Sequence, residues 1–456
     1  MDLSVRGPTE PGGDGTEPFD DLDRLSPSAL AGWADGRSAE VVAVAAAELP
    51  FYRDRFAAAG FDVGSFRGLA DLGRIPVTRK PDIVVRQHEA RGAAAGIERL
   101  GTTPGRIVTV SSGTQGTTFL SWPREWREVQ GASSLRAHWW AGLRADSPFL
   151  LVAPGWHVYA AVQSYMVEQL GLPGVVVSGT YLPRFADRVV DALRRFRPRF
   201  LILFLPMVFS LLAEAHRQGR TAGDLFGGVE CLTVTGAPIT PGMRRHLVGI
   251  TGVGRIVELA GSSENLLAAE CGAAPGLHVV PDTCHVEVLD AGGGPAGDGE
   301  RGRVVHTTMV PWGSMYIRYD GGDIGTLDRR PCPCGLPSPR LKILGRGEHT
   351  FVLAGRRRLP YDVQAAIEEE VPELAGATFA ITTEGLAAGR LHLLLQAGEL
   401  HQPPGRDLST AALEEALTRR LRARFDVEVE VRFPRSLPLM MKGVTPVVSE
   451  REIPRA

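Results

Sequence analysis

Phe200-Leu-Ile-Leu-Phe204 is a run of five large apolar residues with no polar position on either face. A strand wetted on one side alternates in polarity, whereas one covered on both sides does not, so this run reads as a central strand of a buried sheet. The same texture recurs outward from it. Phe149-Leu-Leu-Val152 and Gly174-Val-Val-Val177 are short apolar runs bounded by Gly and Pro, and Cys231-Leu-Thr-Val234 and Arg255-Ile-Val-Glu258 continue the series. A helical stretch is expected between the first two, and Val189, Leu193 and Phe196 recur at helical spacing before the third. Strands alternating with helices predict an α/β fold with a largely parallel sheet. Ligands of such sheets lie beyond the carboxyl ends of the strands, so chemistry is sought in the loops that follow them.

The flanking texture divides the chain. Residues 1–24 are rich in Gly, Pro, Asp and Glu and are expected to form a disordered tail. From Ser28 to Gly60 an Ala-rich pattern predicts helices interrupted at Pro50, and Ile75-Pro-Val-Thr-Arg-Lys80 reads as a turn into another element. Leu277 to Tyr319 alternates between β segments and Gly/Pro/Asp turns, which predicts an antiparallel subdomain. Beyond Gly345 come Phe351-Val-Leu353, a polar helix around Asp362–Glu370, a strand at Leu391–Leu395, a helix carrying Leu413, Leu417 and Leu421, and an alternating strand over Val427–Phe433. The expected division is a tail (1–24), a large N-terminal domain (25–345) and a small α+β C-terminal domain (346–456).

Composition narrows the function. A formal net charge of -2 over 456 residues removes the electrostatic case for nucleic acid or an anionic membrane as the main partner. No apolar run reaches the ~20 residues of a membrane span, so a cytoplasmic protein acting on small molecules is expected. In a reducing compartment the Cys332-Pro-Cys334 pair suggests a metal before a disulfide. Cys271 and His278, seven apart, could complete a tetrahedral structural zinc site with Cys332 and Cys334, while Cys284 and His285 are alternative ligands.

One further stretch, Ile107-Val-Thr-Val-Ser-Ser-Gly-Thr-Gln-Gly-Thr-Thr-Phe-Leu120, runs from a β-branched segment into a hydroxyl- and glycine-rich loop. Glycines let backbone N–H groups close on an anion, so the loop reads as a phosphate cradle, although composition alone favours a plain loop between strands. The decision comes from four later segments.

Taken in order, the five segments resemble adenylate-forming enzymes, most closely the phenylacetate-CoA ligase family, over roughly nine-tenths of the chain. Ser111-Ser-Gly-Thr-Gln-Gly-Thr117 resembles the phosphate loop S-S-G-T-T-G-K, which implies nucleotide contacts from Ser111, Ser112, Gly113, Thr114, Gly116 and Thr117. Thr235-Gly-Ala-Pro238 is similar to the segment along the adenine, implicating Gly236, Ala237 and Pro238. Leu259-Ala-Gly-Ser-Ser-Glu264 resembles Y-G-x-T-E; Ala260, Gly261 and Ser262 would line the nucleotide, Ser263 would meet the α-phosphate and Glu264 would hold magnesium. Ile317-Arg-Tyr-Asp-Gly-Gly-Asp323 resembles R-Y-R-T-G-D, whose Asp takes the ribose hydroxyls. Leu344-Gly-Arg-Gly-Glu348 resembles the hinge motif G-R-x-D, with Arg346 near the ribose and Glu348 at the pivot. The family also includes members with a Glu-Cys, Gly-Leu-His and Cys-x-Cys-Gly set like the one here.

The resemblance implies ATP- and Mg²⁺-dependent activation of a carboxylic acid as an acyl adenylate, with structural Zn²⁺ and with coenzyme A as the default acceptor. Attack of a carboxylate on the α-phosphate loads charge onto phosphate oxygens, a task for donors and a divalent ion more than for a covalent nucleophile. Trp156, His157, Tyr159 and Phe209 lie where acid-binding loops are implied, and aromatic walls suit an aryl or arylacetic acid. Two departures stand out. Thr117 replaces the loop lysine, and Leu439-Met-Met-Lys-Gly443 replaces the tail R-x-x-G-K, leaving Lys442 as the candidate tail lysine. They keep open transfer to an amine or a carrier-protein thiol in specialised metabolism, and a catalytically degenerate nucleotide-binding protein. The sequence does not fix the oligomeric state, a homodimer being one option.

Overall fold

The run that opened the sequence reading is the centre of the parallel half of the sheet. In a computed structural model of the chain, which describes residues 18–89, 98–99, 106–110, 118–144, 147–153, 162, 174–178, 185–396, 410–434, 437, 439–440, 443–444, 447–449 and 451, Phe200–Phe204 is buried at all five positions. It pairs in parallel with Phe149–Ala153 on one side and Cys231–Thr235 on the other. Gly174–Ser178 closes the edge, and Arg255–Gly261 follows Cys231–Thr235, also parallel. Helices Ala186–Phe196, Leu205–Arg217 and Pro241–Thr251 supply Val189, Leu193, Val208, Leu211 and Leu247 to the same core.

Strand direction reverses beyond Arg255–Gly261. Leu266–Ala269, Leu277–Val279, Arg340–Arg346, Tyr319–Asp328, Gly302–Thr308 and Cys284–Leu289 follow in that spatial order, all antiparallel to their neighbours. The antiparallel region therefore continues the parallel sheet through one hydrogen-bonded path. A two-residue strand, Thr78–Arg79, joins it in parallel at Tyr319 and Asp320. Nearby, Tyr52 of helix Pro50–Ala58 donates to the Met315 carbonyl at 2.8 Å and accepts from the Ile317 amide at 2.9 Å. Pro50 starts this second helix, since a proline at the first helical position forfeits no hydrogen bond.

The described part of the expected disordered tail is folded. Phe19 packs against Trp139, and Asp20 and Asp23 accept from Arg136, whose side chain is 0% exposed on helix Arg124–Trp140. Burial alone would depress the Arg136 pKa, but Asp282, Asp20 and Asp23 raise it above the ordinary arginine value. A charge so placed is tolerated only when paired, and the acidic stretch supplies the pairing.

Toward the C-terminus, Val429–Arg432, Leu391–Gln396, Thr378–Thr382 and Val447–Val448 form a separate four-stranded sheet. Helices Pro360–Glu370 and Thr410–Phe425 cover it, with Val363, Ile367, Ile381, Leu393, Leu417 and Leu421 in a core of their own. No helix among the described residues is long and apolar enough to cross a membrane.

Candidate functional site

Two sequence-predicted segments follow the carboxyl ends of adjacent parallel strands. Gly236-Ala-Pro238 leaves Cys231–Thr235, and Ser262-Ser-Glu264 leaves Arg255–Gly261. Thr235 ties them by donating its hydroxyl to the Leu259 carbonyl at 2.9 Å. Gly236 has φ +93°, and a Cβ there would stand 2.8 Å from the Phe204 ring, so neither the turn nor the space admits a side chain. The second turn is set by Ser262, whose hydroxyl accepts from the Glu264 amide at 3.2 Å, and by Asn265, bonded to Gln130 and Thr308. Ser263, between them, is half-buried.

The Glu264 carboxylate turns inward. Its Oε1 accepts from the Tyr319 hydroxyl at 3.3 Å and lies 4.0 Å from the ammonium of Lys80, a pair whose side chains are each only 7% exposed. Burial, reinforced by Glu264, raises the Tyr319 pKa far above the ordinary phenol value, so this hydroxyl remains a neutral donor. The His306 ring stands 5.3 Å from that of Tyr319. Burial lowers the His306 pKa to about 4 and keeps the ring neutral near pH 7.

Asp323 and Arg346 face each other across two antiparallel strands, and Arg346 Nη1 donates to Asp323 Oδ1 at 3.2 Å. Burial raises the Asp323 pKa, with Arg346 opposing and Glu264 and Asp320 reinforcing the rise. Glu348 lies in the turn Gly347–His349 that leaves this strand, its Oε1 3.8 Å from Arg346 Nε.

Lys80 was missed as a site residue in the sequence reading. Pairing of Thr78–Arg79 with Tyr319–Asp320 carries it in from a distant part of the chain, which no local pattern announces. A signal was present nevertheless. Lysine occurs only at positions 80, 342 and 442 among 50 basic residues, so each surviving lysine stands out. Tyr319 lay inside a quoted motif but was not singled out.

Phe209 sits in the first turns of helix Leu205–Arg217, with its ring stacked on His246 at 6.3 Å. It also lies beside Gly376 of the C-terminal module. The loop Ser111 to Thr117 lies outside the described residues, as do Trp156, His157, Tyr159 and Lys442. The strands flanking that loop are described. Arg106–Val110 and Phe119–Pro123 form an antiparallel pair closing at Val110 and Phe119. Gln87 pins the start of the second strand, accepting from the Phe119 amide at 3.0 Å and donating to the Phe119 carbonyl at 2.9 Å.

A second cluster lies on the antiparallel strands. The ligand atoms of Cys271, His278, Cys332 and Cys334 are all within 4.8 Å of one another. Cys271 and Cys332 sulfurs are 3.8 Å apart, and Cys334 Sγ is 3.3 Å from His278 Nε2. The Ser338 carbonyl, 2.8 Å from His278 Nδ1, can only accept, so Nδ1 carries the proton and Nε2 offers its lone pair to the sulfurs. Cys284, an alternative in the sequence reading, lies away from the cluster against the carbonyls of Leu266 and Leu267. Burial pushes its thiol up to about 12.

Comparison with known proteins finds similar chains and folds. The AMP-binding enzyme family matches residues 127–308. The phenylacetate-coenzyme A ligase of Thermus thermophilus is 29% identical over 77% of this chain and 79% of its own. That of Escherichia coli is 26% identical over 71% of each. A crystal structure of 2-hydroxyisobutyryl-CoA ligase in the postadenylation state superposes with a TM-score of 0.84 at 23% identity, covering 97% of this chain and 94% of that one. In its thioesterification state the same ligase gives 0.69 at 22% identity, covering 96% and 94%. The ordered motifs, the two turns at the strand ends and these relatives converge: the chain is similar to the ATP-dependent adenylate-forming enzymes, and among them to the phenylacetate-CoA ligases.

Proposed function

We propose that the protein joins a carboxylic acid, aryl or arylacetic, to coenzyme A through an acyl adenylate. The observation carrying this reading is the buried Lys80–Glu264–Tyr319 cluster beside the Asp323–Arg346 pair. In the first half-reaction a carboxylate oxygen of the acid bonds to the α-phosphorus of ATP, the bond from that phosphorus to the bridging oxygen breaks, and pyrophosphate leaves with the electron pair. In the second, the thiolate of coenzyme A bonds to the acyl carbon and AMP leaves.

Asp323 accepts from the ribose hydroxyls while Arg346 orients its carboxylate. Gly236, Ala237 and Pro238 lie along the adenine, and Ser263 with the Ser111–Thr117 loop meets the phosphates. Glu264 is the magnesium ligand, and Mg²⁺ when bound neutralises charge on the phosphate oxygens. Tyr319 fixes the Glu264 rotamer through its hydrogen bond. Lys80 brings a positive charge into the same dry site, which compensates for threonine at position 117. The acid pocket of Trp156, His157 and Tyr159 and the tail residue Lys442 complete the reading. Residues 346–456 act as a lid turning about Glu348 between the half-reactions. The higher TM-score with the postadenylation state supports the view that the lid here takes up the first arrangement.

The Cys271, His278, Cys332 and Cys334 set is suited to structural zinc. Zn–S bonds of about 2.3 Å in a tetrahedron put sulfurs about 3.8 Å apart, and the Cys271–Cys332 separation is 3.8 Å. The four side chains would close the coordination shell and staple the segments around 271–278 and 332–338.

ATP–pyrophosphate exchange across a panel including phenylacetate, benzoate and 2-hydroxyisobutyrate tests the assignment. Exchange with an aryl acid is expected, and none with any acid, from folded protein, would sink it. Supplying coenzyme A or hydroxylamine to the adenylate then separates a thiol acceptor from an amine.

A further inference from the structure

Glu368 belongs to helix Pro360–Glu370 of the C-terminal module, yet its carboxylate is buried against the other part of the chain. Its Oε2 accepts from the Met243 amide at 3.1 Å and from the Thr240 hydroxyl, at the first turn of helix Pro241–Thr251. That turn begins three residues after the adenine segment ends at Pro238. Gln364 holds the other oxygen at 2.9 Å. A carboxylate at a helix N-terminus meets unsatisfied amides and the positive end of the helix dipole, and charge-assisted hydrogen bonds in a dry interface are strong.

The fit around Glu368 is close on both sides. A Cβ at Gly242 would come within 2.5 Å of the Glu368 Cβ and Oε2, so a glycine is required only while the two parts are docked. Beyond the end of the Glu368 helix, Gly376 at φ +82° approaches the stacked rings of Phe209 and His246, where a Cβ would stand 3.1 Å from each. Across the same boundary Arg301 and Asp362 form a bidentate pair at 2.6 and 2.9 Å. Arg301 is 48% exposed there, so this pair is much the weaker tie. Helix Pro241–Thr251 does not depend on Glu368 for its own end, because Thr240 caps Met243 at 3.0 Å from within.

We propose that Glu368 is a latch, a positioning residue that holds the C-terminal module in the arrangement serving acid adenylation and that must withdraw before acyl transfer. The inference rests on the two-step reading above. Neither the hinge nor the nucleotide contacts require it, since Glu368 touches neither. Releasing it exposes a carboxylate on one part and a self-capped helix on the other, so undocking leaves no buried donor unpaired.

The test uses the full chain with Glu368→Ala and, separately, Gly242→Ala, which adds a methyl that clashes only in the docked state. Small-angle scattering without ligand should show both variants shifted from the wild-type profile toward a larger radius of gyration. Exchange of pyrophosphate into ATP with phenylacetate should fall about tenfold in each, the loss expected for a buried charge-assisted contact. Thioester formation from supplied phenylacetyl-AMP and coenzyme A should be unchanged or faster. Scattering identical to wild type in both variants, or equal losses in both half-reactions, overturns the latch. If Glu368→Ala does not fold, Gly242→Ala decides. If wild type itself shows no exchange with any acid of the panel, the adenylation reading fails and scattering still judges whether Glu368 holds the two parts together.

Discussion

Lys80 Nζ lies 4.0 Å from Glu264 Oε1, and the Tyr319 hydroxyl reaches the same oxygen from the adjoining strand. A buried carboxylate so held by one ammonium and one neutral donor is positioned to receive a divalent ion. Replacing Glu264 with Gln should lower pyrophosphate exchange about 100-fold or more, the scale of losing one charge-stabilising group. Lys80→Met should cost at least about tenfold, chiefly in kcat, and also lower stability because it strands Glu264 without its cation. Exchange kinetics together with circular dichroism on both variants would check this; full activity in Lys80→Met rules out the role given to it.

Zinc content can be read directly. Protein purified without chelator should carry about one zinc per chain, the stoichiometry of one closed four-ligand site. Cys334→Ser should lose the metal and melt several degrees lower, since a domain of this size shifts by about 2–4 °C per kcal/mol. Elemental analysis with differential scanning fluorimetry measures both. Metal-free wild type with an unchanged melting temperature refutes the site.

Arg136 is surrounded by Asp20, Asp23 and Asp282. Arg136→Met leaves three carboxylates facing one another, and breaking a buried ion network by removing one partner costs about 3–5 kcal/mol. Denaturant titration should show that loss, and limited proteolysis should cleave near residues 18–24, which no longer have a cation to hold them. Protection of those residues in the variant contradicts the account.

Glu258 supplies a pH test. Burial, then the neighbouring Glu270, pushes its pKa up to about 8, with Arg244 opposing. The folded state therefore binds more protons than the unfolded state between the ordinary glutamate value and about 8, so this group's stabilising contribution declines as pH rises through that window, by up to about 1.4 kcal/mol per pH unit. Glu258→Gln should flatten the fall. Unfolding free energies at about pH 5.5, 7 and 8 for both proteins provide the comparison, and equal slopes would falsify the assignment.

The parallel half of the sheet was legible because a strand covered on both faces has no choice but to be apolar throughout, as Phe200–Phe204 is. Glu264, Asp323 and Arg346 were singled out from ordered motifs, and strand register brings Asp323 to Arg346. Spacing proposed the cysteine cluster, but only register removed Cys284, which pairs with Thr308 on another strand. The end of the tail, residues 18–24, was misread because local composition counts acidic residues as solvated, whereas Asp23 is compensated by an arginine more than a hundred positions away. Glu368 was illegible for a related reason. It belongs to a run of three glutamates at a helix end, and nothing local distinguishes the buried one.

The pairing of Thr78–Arg79 with Tyr319–Asp320, and of Tyr52 with Met315 and Ile317, also has a consequence for biosynthesis. By the time residue 261 is clear of the ribosome, every strand of the parallel half is available, and that half can assemble from its own segments. Lys80 cannot reach Glu264 until residues 319–320 have also emerged. The nascent chain must carry the helices Pro27–Glu48 and Pro50–Ala58, their apolar faces covered in part by Phe61, Leu72, Trp122 and Trp126 but lacking Val310 to Tyr319, through the synthesis of more than two hundred further residues. Chaperone demand should therefore fall on this early segment, and a slow translation step placed between residues 261 and 319 should lengthen its exposure and increase aggregation.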